Sequence, residues 1–87
     1  MKKAWTDEAW EDYVYWQDQD RKTLRRINKL LNDIDRNGYY GLGNPEPLKG
    51  NLSGLWSREI DDKNRIVYCI EAGEMLIVQC GSHYRDK

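Results

Sequence analysis

Residues 38–54 hold five of the chain's seven glycines and both of its prolines, a density that no helix or central strand accommodates. Apolar residues recur at helical spacing before this segment and alternate after it, so the chain divides into helices, one long loop and strands. A loop of this length is uncommon in a small domain and more often functional than idle. With 87 residues the chain makes a single domain, residues 1–87. Its core is thin, because so short a chain buries only roughly 60 to 65% of its unfolded surface. Four Trp and six Tyr nonetheless argue against disorder.

Before the loop, residues 2–5 suggest a short opening strand, with Thr6 as a helix N-cap and Asp7 and Glu8 at the positive end of the helix dipole. Trp10, Tyr13, Val14 and Trp16 follow at near-helical spacing, and this helix should end around residues 17–19. Asp20 is a second cap. Leu24, Ile27, Leu31 and Ile34 then form one apolar stripe, closed by Asn37-Gly38. After the loop, residues 55–60, 65–71 and 75–81 alternate as three antiparallel strands, with turns at 61–64 and 72–74. The fold class expected is α+β in the order β-α-α-β-β-β, two N-terminal helices packed on an antiparallel sheet. Period-two alternation gives Leu55, Ile66, Tyr68, Ile70, Leu76, Val78 and Cys80 a common, core-facing side.

If Ile60 pairs with Arg65, and Glu71 with Met75, then Arg65 lies opposite Gly81 and His83 follows two residues on. Arg58, two residues before Ile60, then points the same way, so the open face gathers Arg58, Arg65 and His83 beside Tyr84. Cleaving RNA without a metal needs a base for the ribose 2′-OH, a cation for the phosphorane and an acid for the leaving 5′-oxygen. Arg65 and His83 suit the last two roles. The loop offers a base in Glu46, braced by Pro45 and Pro47, with Lys49 three residues on. Singly, each has a plainer reading: His83 as a surface residue, Pro-Glu-Pro as a stiff turn, an arginine opening a strand as an edge charge. Tyr84 and Trp56 could equally be core or interface aromatics.

Further features bound the function. No apolar run nears the ~20 residues needed to span a bilayer, and the start of the chain lacks a signal peptide's apolar stretch, so a cytoplasmic protein without membrane contact is expected. One His and two cysteines, Cys69 and Cys80, without a C-x-x-C pair, suggest neither metal, nor cofactor, nor disulfide. An acidic stretch over residues 1–20 precedes a basic one carrying Arg21, Lys22, Arg25, Arg26, Lys29 and Arg36, which fits a nucleic-acid or acidic partner as well as a merely solvated face.

The segments Asn44-Pro45-Glu46-Pro47-Leu48-Lys49, Leu52-Ser53-Gly54-Leu55-Trp56-Ser57-Arg58, Asn64-Arg65-Ile66-Val67-Tyr68 and His83-Tyr84 together resemble the YoeB/Txe family of bacterial toxins, within the RelE-like superfamily. The start, Trp5-Thr6-Asp7-Glu8-Ala9-Trp10-Glu11-Asp12-Tyr13, is similar to that family's helical hairpin, and the resemblance runs through residues 1–84. It implies a RelE-like fold and a metal-independent endoribonuclease that enters the ribosomal A site and cuts mRNA, leaving a 2′,3′-cyclic phosphate and a 5′-hydroxyl. DNA, lacking the 2′-OH, would be refused at the cut. It also implies a cognate, YefM-like, DNA-binding antitoxin that neutralises the toxin and carries the complex to operator DNA, with a homodimer as one open assembly state. On matching positions, Glu46 would be the base, His83 the acid and Arg65 the phosphate-stabilising cation. Tyr84 and Lys49 would assist at the phosphate or position the nucleotide, and Arg58 would bind RNA.

The chain departs from the family pattern in three ways. Arg58-Glu59 stands where two arginines are common, and alternation with Ile60 outward puts Glu59 on the core side or its rim. Residues 85–87 form a tail beyond His83-Tyr84. A pI near 5.8 is low for an RNA binder. Two other readings keep the fold: a toxin that inhibits a protein target by binding, and a degenerate toxin without cleavage.

Overall fold

Thr6 opens the first helix through its hydroxyl, which accepts from the Ala9 N–H at 3.1 Å, while Asp20 caps the second by accepting from the Lys22 and Thr23 N–H groups. The computed structural model describes residues 1–82 and runs β1 (Lys2–Trp5), α1 (Asp7–Gln19), α2 (Arg21–Asn37), β2 (Glu46–Pro47), a 3-10 turn at Gly50–Leu52, β3 (Trp56–Glu59), β4 (Arg65–Glu71) and β5 (Glu74–Gly81). The strands form one sheet in the order β1-β5-β4-β3-β2, with β1 parallel to β5 and the other pairs antiparallel. The helix bounds and the opening strand match the sequence expectation. The short strand β2 lies inside the segment expected as loop, and as a sheet edge it is a place where proline is tolerated.

Helix α2 supplies Ile27, Leu30, Leu31 and Ile34 to the core, where they meet Ile66, Tyr68, Met75, Ile77 and Cys80 of the sheet. Helix α1 buries only Ala9 fully and packs through the partly buried Tyr13 and Trp16. Its other task is to finish the outer edge of β5. Strand β1 stops at Trp5, paired with Ile77, which leaves the β5 backbone beyond that point without a strand on its outer side, while β4 continues along the inner one. Side chains of the first helix and its cap take over: the Thr6 hydroxyl donates to the Val78 carbonyl at 3.1 Å, Asp12 Oδ2 accepts the Cys80 N–H at 3.1 Å, and Trp16 Nε1 donates to the Cys80 carbonyl at 2.8 Å. The end of β5, which leads toward residues 83 and 84, is thereby anchored to α1. Because Thr6 serves both the helix and the strand, Thr6→Ala is expected to cost about 1 to 2 kcal/mol, a fall of at least about 4 °C in melting temperature. Thermal denaturation followed by circular dichroism checks this, and an unchanged midpoint would show that water replaces both bonds.

Two registers differ from expectation. Glu59, not Ile60, pairs with Arg65, because the β3–β4 connection takes in Ile60 as well as residues 61–64. The Ile60 and Asp61 N–H groups both donate to the Asn64 carbonyl, and Asp61 Oδ1 accepts the N–H groups of Lys63 and Asn64, so the turn is closed one residue earlier than simple counting suggests. At the other hairpin Glu71 pairs with Glu74, and a bulge opposite Val67 and Tyr68 absorbs Val78, restoring Arg65 opposite Gly81. The bulge turns Met75 and Ile77 into the core in place of the expected Val78 and Leu76, the latter being 37% exposed. Leu55 also lies outside the core cluster.

No helix among the described residues is long and apolar enough to cross a membrane. Both cysteines are free thiols. Burial pushes the Cys80 thiol up to about 12 and raises that of Cys69, so neither is a ready nucleophile.

Candidate active site

The one-residue change in the β3–β4 register exchanges the surroundings of two neighbouring residues. Arg58 pairs with Ile66 and faces the core, fully buried, rather than joining Arg65 on the open face as an RNA contact. Its guanidinium has five N–H donors, and all are engaged. Nη1 donates to Asp33 Oδ2 and the Leu42 carbonyl, both at 2.7 Å; Nη2 donates to the carbonyls of Gly38 and Tyr40, both at 2.8 Å; Nε donates to the Tyr68 hydroxyl at 3.1 Å. With no accessible surface and no spare donor, Arg58 is a structural cation and not a phosphate ligand.

What Arg58 builds is the start of the loop that carries Glu46. Asp33 accepts the Leu42 N–H at 3.0 Å as well as Arg58, so residues 38–42 are drawn against the end of α2. Gly41 makes that approach feasible: its φ is +126°, and a Cβ there would lie 2.1 Å from Asp33 Oδ2. The Gly43 carbonyl then accepts the Glu59 N–H at 2.7 Å, laying the chain along β3. Glu46 follows in β2, paired with Ser57. The Arg58–Leu42 bond holds the Asp33 side at one end and the β3 contacts hold the other, so Glu46 stands on a fixed arm rather than a free loop.

On the face opposite Arg58, Glu46 and Arg65 converge across β3. Glu46 Oε1 lies 3.7 Å from Arg65 Nη1, with the side chains 60% and 30% exposed respectively. Between them the buried Ser57 hydroxyl accepts from Arg65 Nη1 at 3.3 Å. Glu59, expected on the core side, instead flanks the same guanidinium, its Oε2 3.4 Å from Arg65 Nη2. Asn44 Nδ2 donates to the other Glu59 oxygen at 3.1 Å. Lys49 is exposed just before the 3-10 turn. His83 and Tyr84 lie outside the described residues. Ser57, Glu59 and Asn44 were missed as site neighbours in the sequence; pairing Glu59 with Arg65 would have found the first two.

This arrangement provides a solvent-facing carboxylate and a partly shielded guanidinium flanked by Ser57, Glu46 and Glu59. A carboxylate can take a proton and a guanidinium can neutralise a phosphate. The Gly81 backbone is fixed beside Arg65 by their pairing.

A family profile described as a YoeB-like toxin of a bacterial type II toxin–antitoxin system matches residues 5–84. The chain belongs to the YoeB family of type II toxins. Toxin YoeB of Streptomyces coelicolor is 51% identical over 84 residues, covering 97% of this chain and all of that protein. Two structures from Staphylococcus aureus share 42% identity and cover 97% of this chain and 98% of theirs: a heterotetrameric YoeB–YefM toxin–antitoxin complex with a TM-score of 0.90, and a YoeB dimer with 0.89. The α+β class expected from the residues, and the RelE-like fold implied by the resemblance, are found, with the sheet mixed rather than wholly antiparallel because β1 runs parallel to β5.

Proposed function

We propose that this protein is an endoribonuclease toxin that acts in the ribosomal A site, cutting bound mRNA by attack of the ribose 2′-OH on the adjacent phosphate. The observation that carries this reading is the 3.7 Å approach of Glu46 to Arg65 on an exposed sheet face. Glu46 accepts the 2′-OH proton, Arg65 offsets the charge of the phosphorane, and His83 protonates the leaving 5′-oxygen. Tyr84 and Lys49 orient the linkage. A base, a cation and an acid complete the proton and charge bookkeeping, so the reaction as written calls on no metal. The expected products are a 2′,3′-cyclic phosphate and a 5′-hydroxyl.

The S. aureus relative forms a complex with YefM, which supports a YefM-like antitoxin as the partner here, carrying operator DNA binding for the complex. A homodimer is proposed on the S. aureus dimer, and the site of action places the protein in the cytoplasm. With a formal charge of −1, the toxin has little general affinity for RNA, and the ribosome supplies the substrate's position.

The test is purified ribosomes programmed with a defined mRNA and incubated with the protein. Primer extension should show breaks at the A-site codon, and free mRNA should stay intact over the same time. Blocked translation with intact mRNA would overturn the nuclease reading in favour of a toxin that binds a protein.

A further inference from the structure

Base and cation are accounted for by Glu46 and Arg65, which leaves Glu59 as the charged neighbour without a role. Arg65 sits between two carboxylates, Glu46 at 3.7 Å on Nη1 and Glu59 at 3.4 Å on Nη2, so the trio carries a formal excess of one negative charge. Glu59 is not a loose surface charge. Its second oxygen accepts from Asn44 Nδ2 at 3.1 Å, and its own N–H donates to the Gly43 carbonyl at 2.7 Å. Held from both sides at the root of the Glu46 arm, its carboxylate occupies the edge of the guanidinium that a phosphate would use for a two-point contact.

We propose that Glu59 is a specificity-determining residue of this site: its carboxylate shields one edge of Arg65, keeps affinity for free RNA low, and reserves the cation for a phosphate delivered and aligned by another body. The inference rests on the nuclease reading for the identity of that phosphate. A phosphodiester making a two-point contact with Arg65 meets the Glu59 charge beside that of Glu46 and must displace the Glu59 oxygen from Nη2. An unanchored RNA strand spends its binding on that exchange, whereas a strand already held in place does not. The Glu59 side chain is 40% exposed, so the effect is screened and moderate, about three- to fivefold in affinity at low salt.

The probe is a fluorescein-labelled 2′-O-methyl RNA hexamer, which lacks the attacking hydroxyl and is not cut. Its binding to the free protein is measured by anisotropy at low salt and near 1 M salt for the native chain, Glu59→Gln and Glu59→Ala. Glu59→Gln keeps an oxygen for Asn44 and removes the charge. It should bind about three- to fivefold more tightly at low salt, with the advantage gone at high salt and the melting temperature unchanged. Glu59→Ala should show the same gain, which ties it to charge and not to the Asn44 bond. Equal affinity of all three proteins at low salt, or a gain that persists at high salt, would overturn the proposal. Failure of the native protein to cut ribosome-bound mRNA would sink the nuclease reading alone, because the hexamer measurement judges Glu59 without any cleavage.

Discussion

Arg58→Met should lower the stability of this protein by about 3 to 5 kcal/mol out of the roughly 5 to 15 that hold a domain together. Methionine fills much of the same volume, so the loss comes from what is left behind. The Asp33 carboxylate loses its charged partner, the carbonyls of Tyr40 and Leu42 lose the Arg58 donors that hold them, and that of Gly38 is left with the Tyr68 hydroxyl alone at 3.3 Å. In a domain of this size the melting temperature should fall by at least about 12 °C. Adding Asp33→Leu should recover part of the loss, since the unpaired charge is then gone as well. A fall of only a few degrees would mean that water enters and satisfies the three carbonyls.

The same pair sets an acid limb. The Arg58 hydrogen bond, followed by that of the Leu42 N–H, holds the Asp33 carboxyl below its ordinary value. A carboxyl lowered by folding stabilises the fold fully where both states are ionised, above about pH 4, and loses that contribution as pH falls and the unfolded chain takes up the proton first. Denaturation midpoints measured from pH 7 down to pH 2 should therefore show a decline below about pH 4 that is smaller in Arg58→Met. Identical acid limbs in the two proteins would remove Asp33 as its source.

Glu46→Gln should leave the fold intact and remove most of the chemistry. The carboxylate is 60% exposed and its approach to Arg65 is a surface ion pair, worth at most about 1 kcal/mol. As the proposed base, however, it stands for about 10²- to 10⁴-fold in rate. Arg65→Met should cost about 10²- to 10³-fold by leaving the phosphorane charge uncompensated. The double variant should be little worse than the more damaged single one, because base and cation act on one transition state. Single-turnover cleavage of ribosome-bound mRNA, with circular dichroism as a check on folding, measures all three. His83→Gln is the corresponding change at the proposed acid. Native rates in Glu46→Gln would end its assignment as the base.

Much of this molecule is legible along the chain. The Thr6 and Asp20 caps, the apolar stripe of α2 and the Gly38 stop are local, because the hydrogen bonds and dihedral limits they satisfy involve residues a few positions apart. The braced Glu46 and its meeting with Arg65 were also expected, although the loop that carries Glu46 was not expected to contribute a strand. That strand has only two residues, too few for any periodic signal, and it forms because β3 offers it an edge.

The amino-acid order by itself determined where helices begin and end, that three alternating strands follow a glycine- and proline-rich loop, and which residue types could do phosphate chemistry. Only the tertiary structure decided which of Arg58 and Glu59 turns inward. Alternation sets that the two face opposite ways, but the phase is set across the 60–64 turn by the hydrogen bonds to Asn64 and Asp61, and one residue of slip reverses both. The bulge at Val78 works in the same manner for Met75 and Ile77. A buried guanidinium is stable only where enough acceptors surround it, and those acceptors are the carbonyls of a loop sixteen to twenty residues away in the chain. They exist as a cage only once the loop has folded over β3, which is why no local pattern could reveal it.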